Sequence, residues 1–372
     1  VRLTVTWQVS ALKPAAGYNF RRGATSSLPE GFKNRMMTTM FLLLALQEAT
    51  GPDRVDQHLR AGWEKAGIAP SQPCDDAEFL RRITLDIIGT LPTLEEARAF
   101  LADSSPRKRR DLIDRLLKDD RYALFWAEVW ALILAGGENE GRDGQVRKLM
   151  ARDLTALFQR NTRFDEMVRA IVTASGELPE AGLAAYVSEI VRVAGRDAPQ
   201  ALAGKYSRVF LGTQIQCAQC HDHPFDRWTQ EEFYGMASFM TEVTVQRKME
   251  EKGKKPVFTI TDRIRRGPRG DLSIPDSKTG PVKPAFLLTK AGLEKEIPRR
   301  VSFAKYLTAA DNLQFAKATV NRYWGHFFGR GIVHPVDDFN ERNQPSHPEL
   351  LEALARDFVA HGYDLPWLIR EI

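Results

Sequence analysis

Between Pro52 and Met240 the apolar positions recur at helical spacing. Val55, Leu59 and Trp63 lie four residues apart and stop at Gly67, which predicts one amphipathic helix. Leu80, Ile83, Leu85 and Ile87-Ile88 predict a second, ended by Gly89 and the turn Leu91-Pro92. Thr93-Leu94-Glu95-Glu96 reads as a capping box, in which the threonine oxygen and the glutamate each satisfy an orphan amide. Ser105-Pro106 opens the next predicted helix, with Leu112, Ile113, Leu116 and Leu117 as its buried stripe. Phe125, Trp126, Val129, Trp130 and Leu132 form a strongly apolar helix closed by Gly136-Gly137. Trp126 and Trp130 share a face at i, i+4 and are expected to be a core aromatic pair rather than the wall of a cofactor pocket. A polar loop at 136–144 precedes helices over 146–159 and from Asp165 to about Thr173.

The pattern changes after Met240. Val243, Val245 and the run Val257-Phe258-Thr259-Ile260-Thr261 read as strands, joined by a charged stretch at 248–255. Residues 267–284 are rich in Gly, Pro, Asp and Ser and read as loop. Helical spacing returns near Arg299 with Phe303, Tyr306, Leu307, Phe315, Ala316, Val320 and Trp324. Ser346-His347-Pro348-Glu349 reads as another capping box, before a helix through Phe358 that stops at Gly362. The chain ends within a further apolar segment, Pro366-Trp367-Leu368-Ile369. The fold class expected is mainly α: a helical domain with a small β insertion and a truncated second helical domain. The divisions expected are a leader at 1–50, a helical domain at 51–243, an insertion and linker at 244–298, and the start of a second helical domain at 299–372.

Composition adds little to that class. The 372 residues are 43% hydrophobic and 27% charged, which is ordinary for a globular chain. The net charge of +5 is spread along the chain, with local basic clusters at 107–110, 252–255 and 263–269, but no nucleic-acid motif accompanies them, so no nucleic-acid partner is expected. Arg21, Arg22, Lys33 and Arg35 precede the apolar run 40–46, with small residues near Ala49, in the order of a secretory signal. The expectation is therefore an exported or periplasmic protein, and a cytoplasmic one if this leader is not a signal. No stretch approaches the length needed to span a bilayer.

Chemistry concentrates in one place. Of three cysteines, Cys74 stands alone, whereas Cys217-Ala218-Gln219-Cys220-His221 has the spacing of a c-type haem attachment site. One helical turn would present both sulfurs and the imidazole to one ligand, with Cys217 and Cys220 as cofactor anchors and His221 as proximal iron ligand. Two alternatives use the same residues: a reversible disulfide, or zinc on Cys217, Cys220, His221 and His223. Pro224 ends the motif, and Thr229-Gln230-Glu231-Glu232 starts another helix with a capping box, so the motif precedes a tight corner. Met236 and Met240 are candidate distal iron ligands, although gap-filling core methionines are the commoner use of such positions. His326, His334 and His347 are further candidates that read more simply as surface or capping residues. Asp337-Asp338 is a carboxylate pair without a nucleophile motif, and reads as a solvated loop.

The run Phe210-Leu211-Gly212-Thr213-Gln214-Ile215-Gln216-Cys217-Ala218-Gln219-Cys220-His221-Asp222-His223-Pro224-Phe225-Asp226-Arg227-Trp228 resembles the signature of a planctomycete domain family of uncharacterised function, named for its association with planctomycete cytochrome c domains. Leu80-Arg81-Arg82-Ile83-Thr84-Leu85-Asp86-Ile87-Ile88-Gly89 is similar to that family's N-terminal signature. Asn321-Arg322-Tyr323-Trp324-Gly325-His326-Phe327-Phe328-Gly329-Arg330-Gly331, with Asp337-Asp338-Phe339-Asn340, resembles the start of the second uncharacterised domain usually found behind it. The resemblance implies a bacterial, exported protein often encoded with cytochrome c modules, and assigns no reaction. Against that resemblance, the expectation is of a chain without a separate cytochrome domain before it and with an incomplete second domain. Two functions follow: a haem c redox or electron-transfer protein with a cytochrome or other redox partner, or a non-enzymatic periplasmic or surface binding and assembly protein whose corner is stiffened by a disulfide or a metal.

Overall fold

The structure, a computed structural model, describes residues 52–136, 142–249, 257–264, 271–278, 280–294 and 296–372. The expected leader at 1–50, most of the loop 136–144 and most of the basic clusters 252–255 and 263–269 lie outside these residues. Residues 50–372 form one compact unit. It is mainly α with a small antiparallel sheet. The helices are α1 (Pro52–Ala66), α2 (Asp76–Ile88), α3 (Leu94–Ala102), α4 (Lys108–Leu116), α5 (Asp120–Ala135), α6 (Arg142–Gln159) and α7 (Phe164–Val172). After strand β1 (Gly176–Glu177) come α8 (Gly182–Ala194), α9 (Ala198–Phe210) and α10 (Gln230–Ala237). Strands β2 (Val243–Lys248), β3 (Val257–Asp262), β4 (Leu272–Ser273) and β5 (Pro281–Val282) precede α11 (Arg299–Leu307), α12 (Leu313–Phe328), α13 (Pro348–Ala360) and α14 (Leu365–Glu371). No helix among the described residues is long and apolar enough to cross a membrane.

Local signals set most helix ends. Asp75 accepts the Glu78 amide at 2.8 Å to start α2, and Gly89 closes it in the left-handed region at φ 72°. The Thr93 and Thr229 capping boxes both form, at the starts of α3 and α10. Two expected starts move. Lys108, not Pro106, begins α4, after a turn in which Ser105 Oγ accepts the Arg107 amide. Ser346 does not cap α13: its amide and hydroxyl both donate to Ile332 O, so the helix starts behind His347, which makes no side-chain cap. Tertiary bonding outcompetes the cap there.

Trp126 and Trp130 of α5 are core residues, as their spacing predicts. Trp126 stacks on Tyr323 of α12, with ring centroids 4.5 Å apart and planes at 18°. Trp130 Nε1 donates to Tyr323 Oη at 3.1 Å, which satisfies a polar atom in a dry interior. Phe164 of α7 stacks on Phe315 of α12 at 5.7 Å. These rings fasten α12 to α5 and α7.

The sheet has the order β1-β3-β2, all antiparallel, with Val243 opposite Asp262 and Gly176 opposite Ile260. Ile260 is buried against the helices, while the neighbours of the two-residue β4–β5 pair come from α10: Ser238, just past its end, accepts from Leu272 N and donates to Val282 O. At the start of α11 two consecutive arginines are buried. Arg300 makes a bidentate pair with Asp262 of β3 at 2.7 and 2.9 Å. Its Nη1 donates to Val172 O and Ala174 O, the free carbonyls at the end of α7. Arg299 donates to Ser238 O at 2.9 Å and pairs with Asp271 at 2.7 Å, and its amide donates to Glu242 at 2.9 Å. Removing one partner of a buried, fully bonded pair leaves an uncompensated charge. Arg300→Met is therefore expected to lower the unfolding free energy by about 3–5 kcal/mol in urea denaturation. A loss within the range of a surface pair, below about 1 kcal/mol, would refute this role.

Candidate functional site

Helix α9 ends at Phe210, and Gly212 turns the chain at φ 63°. A side chain at Gly212 would meet the Phe339 ring, since a Cβ there would lie 2.6 Å from Phe339 Cδ2. The Phe339 amide donates to Gly212 O at 2.8 Å, so this close approach is also a hydrogen bond. The chain then enters a short 3-10 helix, Gln216–Gln219. That differs from the α-helical turn expected for the motif, and the burial pattern explains it. Ile215 and Ala218 are fully buried, three residues apart, and the Ala218 amide donates to Ile215 O at 3.0 Å. A three-residue period matches the 3-10 helix, in which i and i+3 eclipse. Cys217 lies within this turn and Cys220 just past its end, and both thiols are free and exposed. Gly204 of α9 admits the turn from below, because a Cβ there would stand 2.9 Å from Gln216 Cγ.

His221 follows the turn and is exposed. Its Nδ1 lies 2.6 Å from Asp222 O. A carbonyl can only accept, so this contact selects the tautomer with the proton on Nδ1 and leaves the Nε2 lone pair outward. Asp222 itself is anchored, because its carboxylate accepts the Gln230 amide at 2.8 Å at the positive end of α10. Gln230 Nε2 returns to Gln219 O at 3.2 Å. The His223 amide donates to Trp228 O at 2.7 Å, and the Phe225 amide donates to His223 Nδ1 at 3.3 Å. The expected tight corner is thus present, held by its own backbone and by α10.

Around this corner lie residues that spacing did not reveal. Tyr234 of α10 is buried beside Gln200 and Cys220, and burial, then the nearby Cys220 and Asp197, raise its hydroxyl above the usual tyrosine value despite the Gln200 amide. Phe225 is 65% exposed and carries the Arg342 guanidinium over its ring at 5.5 Å; Arg227 sits 4.5 Å over Trp228. The pairing of Phe225 with Arg342, more than a hundred residues later, is not visible in the sequence. Asp337 and Asp338 are not the solvated pair expected. Both are half-buried: Asp337 meets Arg208 of α9 at 2.5 Å, and Asp338 accepts from Asn340 at 3.0 Å.

The remaining candidates are not brought to the motif. Met236 and Met240 are fully buried, and Met236 Sδ accepts the Leu287 amide at 3.2 Å. His326 is held between α2 and α5, with Nε2 2.9 Å from Asp86 O and its ring 4.8 Å from Trp126. His347 lies against Gly62 of α1, and His334 is exposed. Among the described residues no three His, Cys, Asp or Glu side chains stand together as a metal site, Cys217, Cys220, His221 and His223 included.

Glu232 couples this corner to the rest of the fold. Burial works against its charge, but the Lys290 ammonium and the Thr229 amide together outweigh that and hold the carboxyl below its ordinary value. A depressed folded-state value means stability that is present above the ordinary carboxylate range and lost as pH falls through the lowered one. Glu232→Gln is thus expected to destabilise the protein at neutral pH, with the difference closing on acidification. Urea titrations at several pH values read this directly, and a difference that persists in acid would refute it. Thr229→Ala, which removes the cap oxygen, is expected to cost about 1 kcal/mol in the same assay.

The protein-family model PSCyt2, described as a protein of unknown function (DUF1549), matches residues 54–245. A second model, PSD1, also described as a protein of unknown function (DUF1553), matches residues 299–372. Searches of curated proteins and of solved structures returned no match.

Proposed function

Since the chain belongs to the PSCyt2 family (DUF1549), we propose that Cys217-Ala218-Gln219-Cys220-His221 attaches haem c covalently and that the protein is an exported bacterial redox or electron-transfer protein. The observation that carries this reading is the pairing of two free, exposed thiols three residues apart with an imidazole whose Nε2 is left free by the Nδ1 contact to Asp222 O. Attachment adds each thiol across one vinyl group: an S–C and a C–H bond form, while an S–H bond and a carbon–carbon π bond break. No oxidant is needed, but both thiols must be reduced and accessible, as they are here. When bound, the haem would supply a one-electron couple at its iron.

The residues present fit the attachment half of such a site. Cys217 and Cys220 would hold the macrocycle edge, and His221 Nε2 would ligate the iron, its ring oriented by Asp222 O in the manner of other metal-bound histidines. Met236 and Met240 are not available opposite it, because both are enclosed in the core. Export belongs with this reading, because thioether attachment takes place outside the bacterial cytoplasm. A cytochrome or other redox protein is the partner it calls for.

A second reading rests on the same thiols. Two free, exposed cysteines on one tight turn are also the arrangement that closes into a disulfide, with loss of two hydrogens to an oxidant of an oxidising compartment. The protein would then be a non-enzymatic binding or assembly protein with a stiffened corner. Expression with the haem-attachment machinery separates the two. The haem reading expects a Soret band that survives acid-acetone extraction, an intact mass raised by one haem, and loss of both in Cys217→Ser/Cys220→Ser. Colourless protein that is two hydrogens light, or of unmodified mass, would overturn it.

A further inference from the structure

Helix α9 has a second face that does not touch the cysteine corner. Gln200 and Gly204 face the corner, whereas Ala201 and Lys205 line an apolar cleft of about 280 Å³. Leu134 at the end of α5, Val146 of α6, and Tyr186 and Ile190 of α8 also line it. The cleft is near the lower end of the sizes that hold small molecules.

Lys205 is the cation of this wall. The Tyr186 hydroxyl is buried and has no hydrogen-bond partner among the described residues. Lys205 is half-buried, and burial pushes its ammonium down from the ordinary lysine value, with the Arg208 charge adding to the effect. No acid among the described residues offsets either influence. The carboxylate of Glu189 also borders the cleft, but it is engaged by Arg192. An ammonium set in an apolar wall without a counter-ion is costly. A ligand with a hydrocarbon body and one negative charge would relieve that cost while filling the cleft. One cation beside Glu189 suits a monoanion better than a doubly charged phosphate ester.

We propose that this cleft binds a small amphipathic carboxylate, with its aliphatic body against Leu134, Val146 and Ile190 and its carboxylate on Lys205 Nζ. The site is independent of the haem reading, because it lies on the other face of α9 and shares no residue with the corner.

Equilibrium dialysis of the full chain against octanoate and against 1-octanol tests it without any variant. Octanoate is expected to bind at least about tenfold more tightly, the value of one charge-assisted contact. Lys205→Met is expected to abolish that preference while 1-octanol still binds, which also shows that the variant is folded. Equal affinity for the two probes, no binding of either, or a preference retained in Lys205→Met would overturn the proposal.

Discussion

The buried arginine pair at the start of α11 is the constraint on which the rest of the structure depends. Arg300 ties β3, through Asp262, to the last carbonyls of α7. Arg299 ties the segment after α10 to Asp271 and Glu242. Charges this deep are tolerated only when they are paired and hydrogen-bonded, so these elements are located together or not at all. From that point α11 leads into α12, whose Tyr323 meets both tryptophans of α5 and whose Phe315 meets Phe164. A polar clamp therefore fixes where an aromatic core closes.

That core in turn carries the cysteine corner. Helix α9 is packed on one side by α8, and its end is turned by Gly212 under Phe339. Its Gly204 makes room for the 3-10 turn, and α10 receives Asp222 at its N-terminus. The thiols are exposed, but the backbone beneath them is held at Ile215, Ala218, Asp222 and Gln230. Exposure of the reactive atoms thus coexists with a fixed frame, because the apolar residues of the same turn point inward.

Local chemistry was legible in the sequence and long-range competition was not. The Thr93 and Thr229 boxes, the stop at Gly89 and the tryptophan pair in α5 all depend on neighbours within one or two turns, and all appear as read. Ser346 has an equally good local signal, yet Ile332 O claims it, from a loop fourteen residues away. Cys217 and Cys220 were found by spacing, but their helix type follows from the depth of Ile215 and Ala218, which spacing alone does not give. The same limit hid the environment of Asp337, which is set by Arg208 on a helix far earlier in the chain.

The contact between Gly212 and Phe339 has a consequence for how this chain is inherited. One residue lies within the segment matched by PSCyt2 and the other within that matched by PSD1. The aromatic ring occupies space that only a glycine leaves, and Arg342 reaches from the later segment to Phe225 in the earlier one. Recombination between the two segments would separate a knob from its hole. The two segments are thus fitted to each other at this point, and a side chain at Gly212 would have to displace the ring.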